Sequence, residues 1–215
     1  MKQKNNSHYF SKSPQSILKM YSISESLRGH LYLFKTSSGI FSHRKIDLGT
    51  KTFIIYMEIP PNNALLLDMG CGYGPIGIIL AKENPNSTIY MIDINSRAIG
   101  CVRENAKINQ VKNVKIFNGS YFNPIKSENL KFDGIFINPP LRKGKKEFLN
   151  FCYLVPNYLK EGGTFQFVIR RKMGAKNIFK ILSDRISSME IEIKFKRSGY
   201  WIFYLKKKLQ NGKIF

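Results

Sequence analysis

The run Leu65-Leu-Leu-Asp-Met-Gly-Cys-Gly-Tyr-Gly-Pro-Ile-Gly77 constrains this chain more than any other stretch. Its apolar start suits a strand buried on both faces, such as the central strand of a parallel sheet. Gly70, Gly72 and Gly74 permit a tight turn and let backbone approach a ligand closely. Pro75 belongs in a first helical turn, where its missing N–H leaves no bond unmade. Strand, glycine turn and helix then set a helix N-terminus at a strand's carboxyl end, where open α/β sheets bind ligands. The spacing Gly72-x-Gly74-x-x-Gly77 with Asp93 further on also satisfies the dinucleotide fingerprint, so the glycines alone do not choose the ligand.

The flanking sequence supplies the rest of such a sheet. Helical spacing over 75–83 is stopped by Asn84-Pro85-Asn86. Strands are expected at 88–93, 114–117, 132–137 and 164–169, with helices at 96–109, from the basic loop after 141 to near 159, and at 175–185. Glu161-Gly162-Gly163 reads as a turn. Two last strands, 190–195 and 200–205, are separated only by Lys196-Arg-Ser-Gly199. So short a link forces antiparallel pairing. The expected class is α/β: a mostly parallel seven-stranded sheet with a C-terminal antiparallel hairpin and helices on both faces. Upstream, residues 30–35 are strand-like, and a helix is expected over 50–58 with Thr50 as a possible N-cap. Residues 1–27 read as a basic N-terminal arm, 28–63 as an extension and 64–206 as the core of one domain reaching 215.

Charge is the informative part of the composition. Lys and Arg number 35 against 14 Asp and Glu, a net charge of +21. Residues 142–215 alone carry 18 basic and 5 acidic side chains. Such a surface attracts polyanions through counterion release. No apolar run is long enough to span a membrane, and the N-terminus lacks a signal peptide's apolar core. Cys71, Cys101 and Cys152 form no CxxC pair, and with His8, His30 and His43 show no metal-ligand spacing. No metal and a cytoplasmic location are expected.

Asp68 to Gly74, Asp93 closing the second core strand, and Phe132-Asp-Gly-Ile-Phe-Ile-Asn-Pro-Pro140 together resemble class I S-adenosylmethionine (SAM) methyltransferases. The resemblance is to the small-domain ribosomal-RNA guanine-N2 enzymes. Ser38-Gly-Ile-Phe-Ser42 and Ile46-Asp-Leu-Gly-Thr50 resemble that group's upstream motif, and the likeness extends over roughly residues 28–206. It implies a Rossmann-like fold with SAM as cofactor. Asp68 would pair with the methionine ammonium, while Gly70, Gly72 and Gly74 approach its carboxylate. Asp93 would take the ribose hydroxyls, Ile94 would pack on the adenine, and Ser120 and Tyr121 would edge it. Many relatives carry Asp where this chain has Ser120. Asn138 and the carbonyl of Pro139 would accept the hydrogens of a planar exocyclic amine and aim its nitrogen at the methyl group.

Pro140 and Leu141 would border the target base. Leu141 departs from the aromatic residue common after Asn-Pro-Pro, so stacking would have to come from elsewhere, with Phe41 or Tyr200 as candidates. Arg142, Lys143 and Lys145 follow the Asn-Pro-Pro turn, and Arg170 and Arg171 end the fifth core strand on the same sheet edge. Their co-location implies a phosphate-bearing partner, ribosomal RNA foremost, with the target base single-stranded or flipped. The alternatives are a protein glutamine-N5 methyltransferase, a non-catalytic RNA-binding module on the same fold and a nicotinamide dehydrogenase. Leu141, the intact acids and the final hairpin weigh against them in turn.

Overall fold

The computed structural model describes residues 17–141 and 144–209. Most of the expected arm, together with Arg142 and Lys143, lies outside the described residues. Seven strands form one sheet in the order β5-β4-β3-β6-β7-β9-β8. They are β3 (Leu65–Met69), β4 (Thr88–Asp93), β5 (Val114–Asn118), β6 (Phe132–Ile137), β7 (Leu159–Arg170), β8 (Met189–Arg197) and β9 (Tyr200–Lys207). The first five run parallel; β9 lies antiparallel to β7 and to β8. The chain winds outward from β3 to β5, then returns to lay β6 on the other side of β3. The carboxyl ends of β3 and β6 therefore frame the switch point of the sheet, where ligands bind.

Helices α1 (Leu48–Tyr56), α2 (Pro75–Glu83) and α3 (Ser96–Ile108) cover one face, and α4 (Lys145–Leu154) and α5 (Ala175–Arg185) the other. Each face has its own apolar core, and β3 serves both: Leu66 belongs to the first, Leu67 and Met69 to the second. This two-sided burial is why 65–67 is a continuous run of leucine. Helix α2 lies close on β4. A Cβ at Gly77 would sit 2.5 Å from Met91 Cε, so only glycine keeps that approach.

Several boundaries differ from expectation. Met20–Leu27, assigned above to the arm, is strand β1. It pairs antiparallel with β2 (His30–Ser37) through a turn whose Arg28 and Gly29 both have positive φ, 48° and 81°. Ser22, Ser24 and Ser26 occupy its exposed side and Ile23 and Leu27 its buried one, a period-2 signal made faint by serine. Helix α1 begins at Leu48, with Asp47 and not Thr50 as N-cap: Asp47 Oδ1 accepts from Gly49 N at 3.0 Å and Thr50 N at 3.3 Å. Helix α4 ends at Leu154, and β7 already starts at Leu159. The Gly162-Gly163 pair is an irregularity inside β7, not a turn; Gly162 has φ 72°, and a Cβ on Gly163 would lie 2.9 Å from two carbonyl oxygens.

The β1–β2 hairpin is bonded into the core domain. Asn105 and Asn109, one turn apart on α3, imitate a neighbouring strand. Asn105 Oδ1 accepts from Lys35 N at 2.6 Å and its Nδ2 donates to Lys35 O at 2.8 Å. Asn109 makes the same pair with Leu33 at 3.1 and 2.7 Å. Asn105 Nδ2 also donates to Tyr73 O, inside the glycine turn, at 2.8 Å. Asn105→Leu would leave a part-buried N–H and two carbonyls without their partner, so it is expected to cost roughly 1–3 kcal/mol. A urea titration checks this, and an unchanged midpoint would show that the hairpin is held by its apolar face alone.

Candidate active site

Asp68 is fully buried at the carboxyl end of β3. Its Oδ2 accepts from Gly77 N at 2.8 Å, which ties the strand to the first turn of α2. Its Oδ1 has no hydrogen-bond partner. Burial is the main reason that its carboxyl is held far above the usual range, at about 7; the Gly77 N–H opposes the shift and the charge of Asp93 adds to it. A buried carboxylate oxygen without a donor is costly unless a ligand supplies one. Between Asp68 and α2 the chain passes through Gly70, Gly72 and Gly74 at φ 68°, 58° and 96°. A Cβ on Gly70 or Gly72 would meet nothing within 4 Å, so open space faces this backbone.

Asp93 ends β4 beside the same turn. Its Oδ2 accepts from Gly72 N and its Oδ1 from Asn95 N, both at 2.8 Å. Burial raises its carboxyl pKa, against the pull of backbone N–H groups at Asn95, Gly72 and Ile94. Asn95, not Asp93, caps α3, accepting from Arg97 N and Ala98 N. Asn118 Nδ2 donates to the carbonyls of Asp93 and Ile94 at 2.9 and 3.0 Å, which draws the end of β5 against this loop. Ser120 and Tyr121 follow, both half-buried. The Tyr121 ring is committed elsewhere than the turn: it stacks on Phe151 at 5.1 Å, with its hydroxyl toward Glu147.

Asp68 is in register with Phe136 of β6. Asn138 lies two residues further, roughly 7 Å along the strand axis and one strand across. The structure therefore brings Asn138-Pro139-Pro140 alongside the glycine turn. Asn138 Nδ2 donates to Thr50 Oγ1 at 2.8 Å and approaches Asp47 Oδ2 at 3.4 Å. Pro139 O already accepts from Leu141 N at 2.9 Å, which leaves it one lone pair. Leu141 packs against the α4–α5 core and is half-buried; Pro140 is exposed.

Arg170, Arg171 and Lys172 are exposed where β7 ends. Arg171 N donates to Gly199 O at 2.8 Å, pinning this end to the β8–β9 turn. Tyr200 is in register with Arg170 on one side and Arg197 on the other, so the two arginines flank it on one sheet face. A Cβ on Gly49 would lie 2.7 Å from Tyr200 Cε1, so this ring rests on the first turn of α1. Lys145 Nζ would lie 3.7 Å from a Cβ on Gly174, just past the Arg171–Met173 turn. Phe41 is 46% exposed on a loop tied to the start of α3, where Asn95 Nδ2 donates to Gly39 O and Arg97 to Ser38 O. The sequence assigns no role to Asp47, Arg197 or Asn105, although Asp47 lies in the motif 46–50 and Arg197 in the hairpin link. The motif 46–50 was visible, but its contact with Asn138 spans 88 residues.

Among the described residues no group of three or more His, Cys, Asp and Glu is placed to hold a metal ion, and no helix is long and apolar enough to cross a membrane.

The family model of the methyltransferase small domain matches residues 31–204. The uncharacterized protein YbxB of Bacillus subtilis is 36% identical over 200 residues, 93% of this chain and 98% of that one. Ribosomal RNA small subunit methyltransferase C of Aeromonas hydrophila is 30% identical over 162 residues, covering 74% of this chain and 46% of that protein. Among solved structures, a T. thermophilus 16S rRNA N2 methyltransferase in complex with AdoMet and guanosine superposes with a TM-score of 0.76. It is 19% identical, over 91% of this chain and 52% of its own, so the likeness is one of fold. The chain spans about half the length of these two ribosomal RNA enzymes.

With a pKa of about 7, Asp68 is largely neutral below pH 7 and ionised above it. An ammonium-bearing ligand needs the ionised form. Affinity for SAM, the ligand that the sequence implies, is therefore expected to fall about tenfold per pH unit well below pH 7 and to level off above it. In the free chain the same shift acts on folding: its stabilising contribution is full below pH 3.8 and lost as pH rises through about 7. Calorimetry from pH 5 to 8.5 checks the binding limb; an affinity independent of pH would remove Asp68 from the ammonium site.

Proposed function

Because the chain belongs to the methyltransferase small domain family, we propose that it transfers a methyl group from SAM to an exocyclic amine of an RNA base, specifically guanine-N2 of ribosomal RNA. The residues present fit the cofactor. Asp68 Oδ1 lacks a donor, which a ligand ammonium supplies. The open backbone at Gly70 and Gly72 suits a carboxylate, and Asp93 ends β4 beside that backbone, where a carboxylate can accept from ribose hydroxyls. When bound, SAM contributes an electrophilic sulfonium methyl. The protein's own part is alignment and charge. The observation that carries the reading is Asn138, a side-chain amide at the end of β6 beside the glycine turn. Its oxygen, with the remaining lone pair of Pro139 O, accepts the two amine hydrogens and leaves the nitrogen lone pair directed at the methyl group. No strong base is needed first, because the nitrogen sheds a proton as positive charge develops on it.

The rim supplies the case for RNA. Lys145, Arg170, Arg171 and Lys172 gather on the Asn138 side of the sheet edge, and phosphate contacts of this kind position a nucleic acid without reading its sequence. Arg142 and Lys143 belong to the same run. Tyr200 is the aromatic assigned to the target base, because its ring rests on the α1 turn whose Asp47 and Thr50 hold Asn138. Phe41 is tied to the cofactor side instead. Leu141 packs inward and is left a border role. The reaction would take place in the cytoplasm.

Incubation with labelled SAM, total RNA and ribosomal subunits, followed by nucleoside analysis, is expected to yield N2-methylguanosine. Label recovered only in protein would favour a glutamine methyltransferase, and label in neither would leave a binding module. Asn138→Ala is expected to keep SAM affinity within about threefold and lose roughly 10²–10³-fold in kcat. Turnover at the wild-type rate would take Asn138 out of the mechanism.

A further inference from the structure

We propose that Asp47 and Thr50 are positioning residues that lock the Asn138 amide in the one orientation able to accept hydrogens from an amine. The inference rests on the reading of the site as an amine methyltransferase and names what selects the amine. Thr50 Oγ1 carries a single hydrogen and donates it to Asp47 Oδ2. An ionised carboxylate only accepts. Toward Asn138, both Thr50 and Asp47 therefore present lone pairs alone. Asn138 Nδ2 fills that position, at 2.8 Å from Thr50 Oγ1 and 3.4 Å from Asp47 Oδ2. Turned over by 180°, the amide would set its oxygen against two acceptors with no hydrogen between them. The chain of bonds thus settles the O and N assignment of Asn138 by chemistry.

Two consequences follow for the reaction. The group presented to the substrate is an acceptor, so the substrate must be a donor: an amine with N–H bonds, not a carbonyl oxygen or a ring nitrogen lone pair. The carboxylate at the far end also polarises the chain, drawing the Nδ2 hydrogens inward and strengthening Oδ1 as an acceptor while the amine becomes positive. Asp47 has an ordinary task as N-cap of α1, where it binds Gly49 N and Thr50 N through Oδ1. The Asn138 contact uses the other oxygen, so the two tasks are separable.

Thr50→Val removes the hydroxyl and leaves the cap. Thr50→Ser restores it, and Asp47→Asn keeps a capping side chain without the charge. In protein labelled with [15N]asparagine, the Asn138 side-chain amide signals are assigned by their loss in Asn138→Asp. Their exchange with solvent is expected to quicken about tenfold or more in Thr50→Val and to return in Thr50→Ser, the worth of one hydrogen bond. Turnover with the acceptor RNA should fall by a similar factor in kcat for Thr50→Val and Asp47→Asn, with SAM affinity and KM unchanged, and recover in Thr50→Ser. Unchanged amide exchange in Thr50→Val would overturn the lock, and altered exchange with unchanged kcat would overturn its catalytic role. If the wild-type protein methylated no RNA, the functional reading would fall while the amide measurement still judged the lock.

Discussion

The hydrogen bond from Gly77 N to the buried carboxylate of Asp68 closes the turn on which the rest of this molecule depends. It fastens the first turn of α2 to the carboxyl end of β3 and bends the intervening backbone through three glycines of positive φ. Gly77 permits it twice, by donating the N–H and by letting α2 come down on Met91. The bond satisfies only one carboxylate oxygen. The other is left buried and without a donor, and its cost shows in a carboxyl held at about 7. A fold optimised for stability alone would not leave such an atom; a fold built to receive a cation at that point would.

The N-terminal extension is joined at three places to the segments at the carboxyl ends of the core strands: the glycine turn, the start of α3 and the end of β6. Asn105 bonds β2 and Tyr73 of the glycine turn at once. Asn95 caps α3 and holds the carbonyl of Gly39. Asp47 and Thr50, at the start of α1, hold Asn138. In each case a short polar side chain reads backbone or amide groups from a distant part of the chain. Two of these bonds, Asn105 to Tyr73 O and Asn95 to Gly39 O, are buried, where an unmade partner is expensive. The hairpin, the loop over 38–45 and α1 are thus bonded to the core along the edge where the candidate site lies.

The parallel sheet was legible because its signals are local. Alternate glycines, Asn-Pro-Asn breaks and four-residue hairpin spacing act on the chain within a few residues, and α2, β4, β6 and α5 lie where they were expected. The misreadings have physical causes too. Strand β1 carries serine on its outer face, so its alternation is faint; β2 pairs with it along its length and α1 lies against it, with Lys51 bonded to Glu25. The glycines at 162 and 163 look like a turn, but they form an irregularity within β7, between the residues that pair with Phe132 and Gly134 of β6. Thr50 looks like a cap, yet its hydroxyl is engaged with Asp47 and Asn138.

By itself the sequence determined the sheet, the glycine turn with Asp68 and Asp93 beside it, and the Asn-Pro-Pro end of β6. Each follows from backbone conformations that glycine, proline and apolar runs impose nearby. Only the tertiary structure decided that Asp68 keeps an unpaired oxygen, that Asn138 turns its nitrogen toward Thr50, and that Tyr200 stands between Arg170 and Arg197. Those are properties of side chains brought together from positions tens of residues apart. Their hydrogen bonds depend on which strand lies beside which, and no spacing along the chain encodes that.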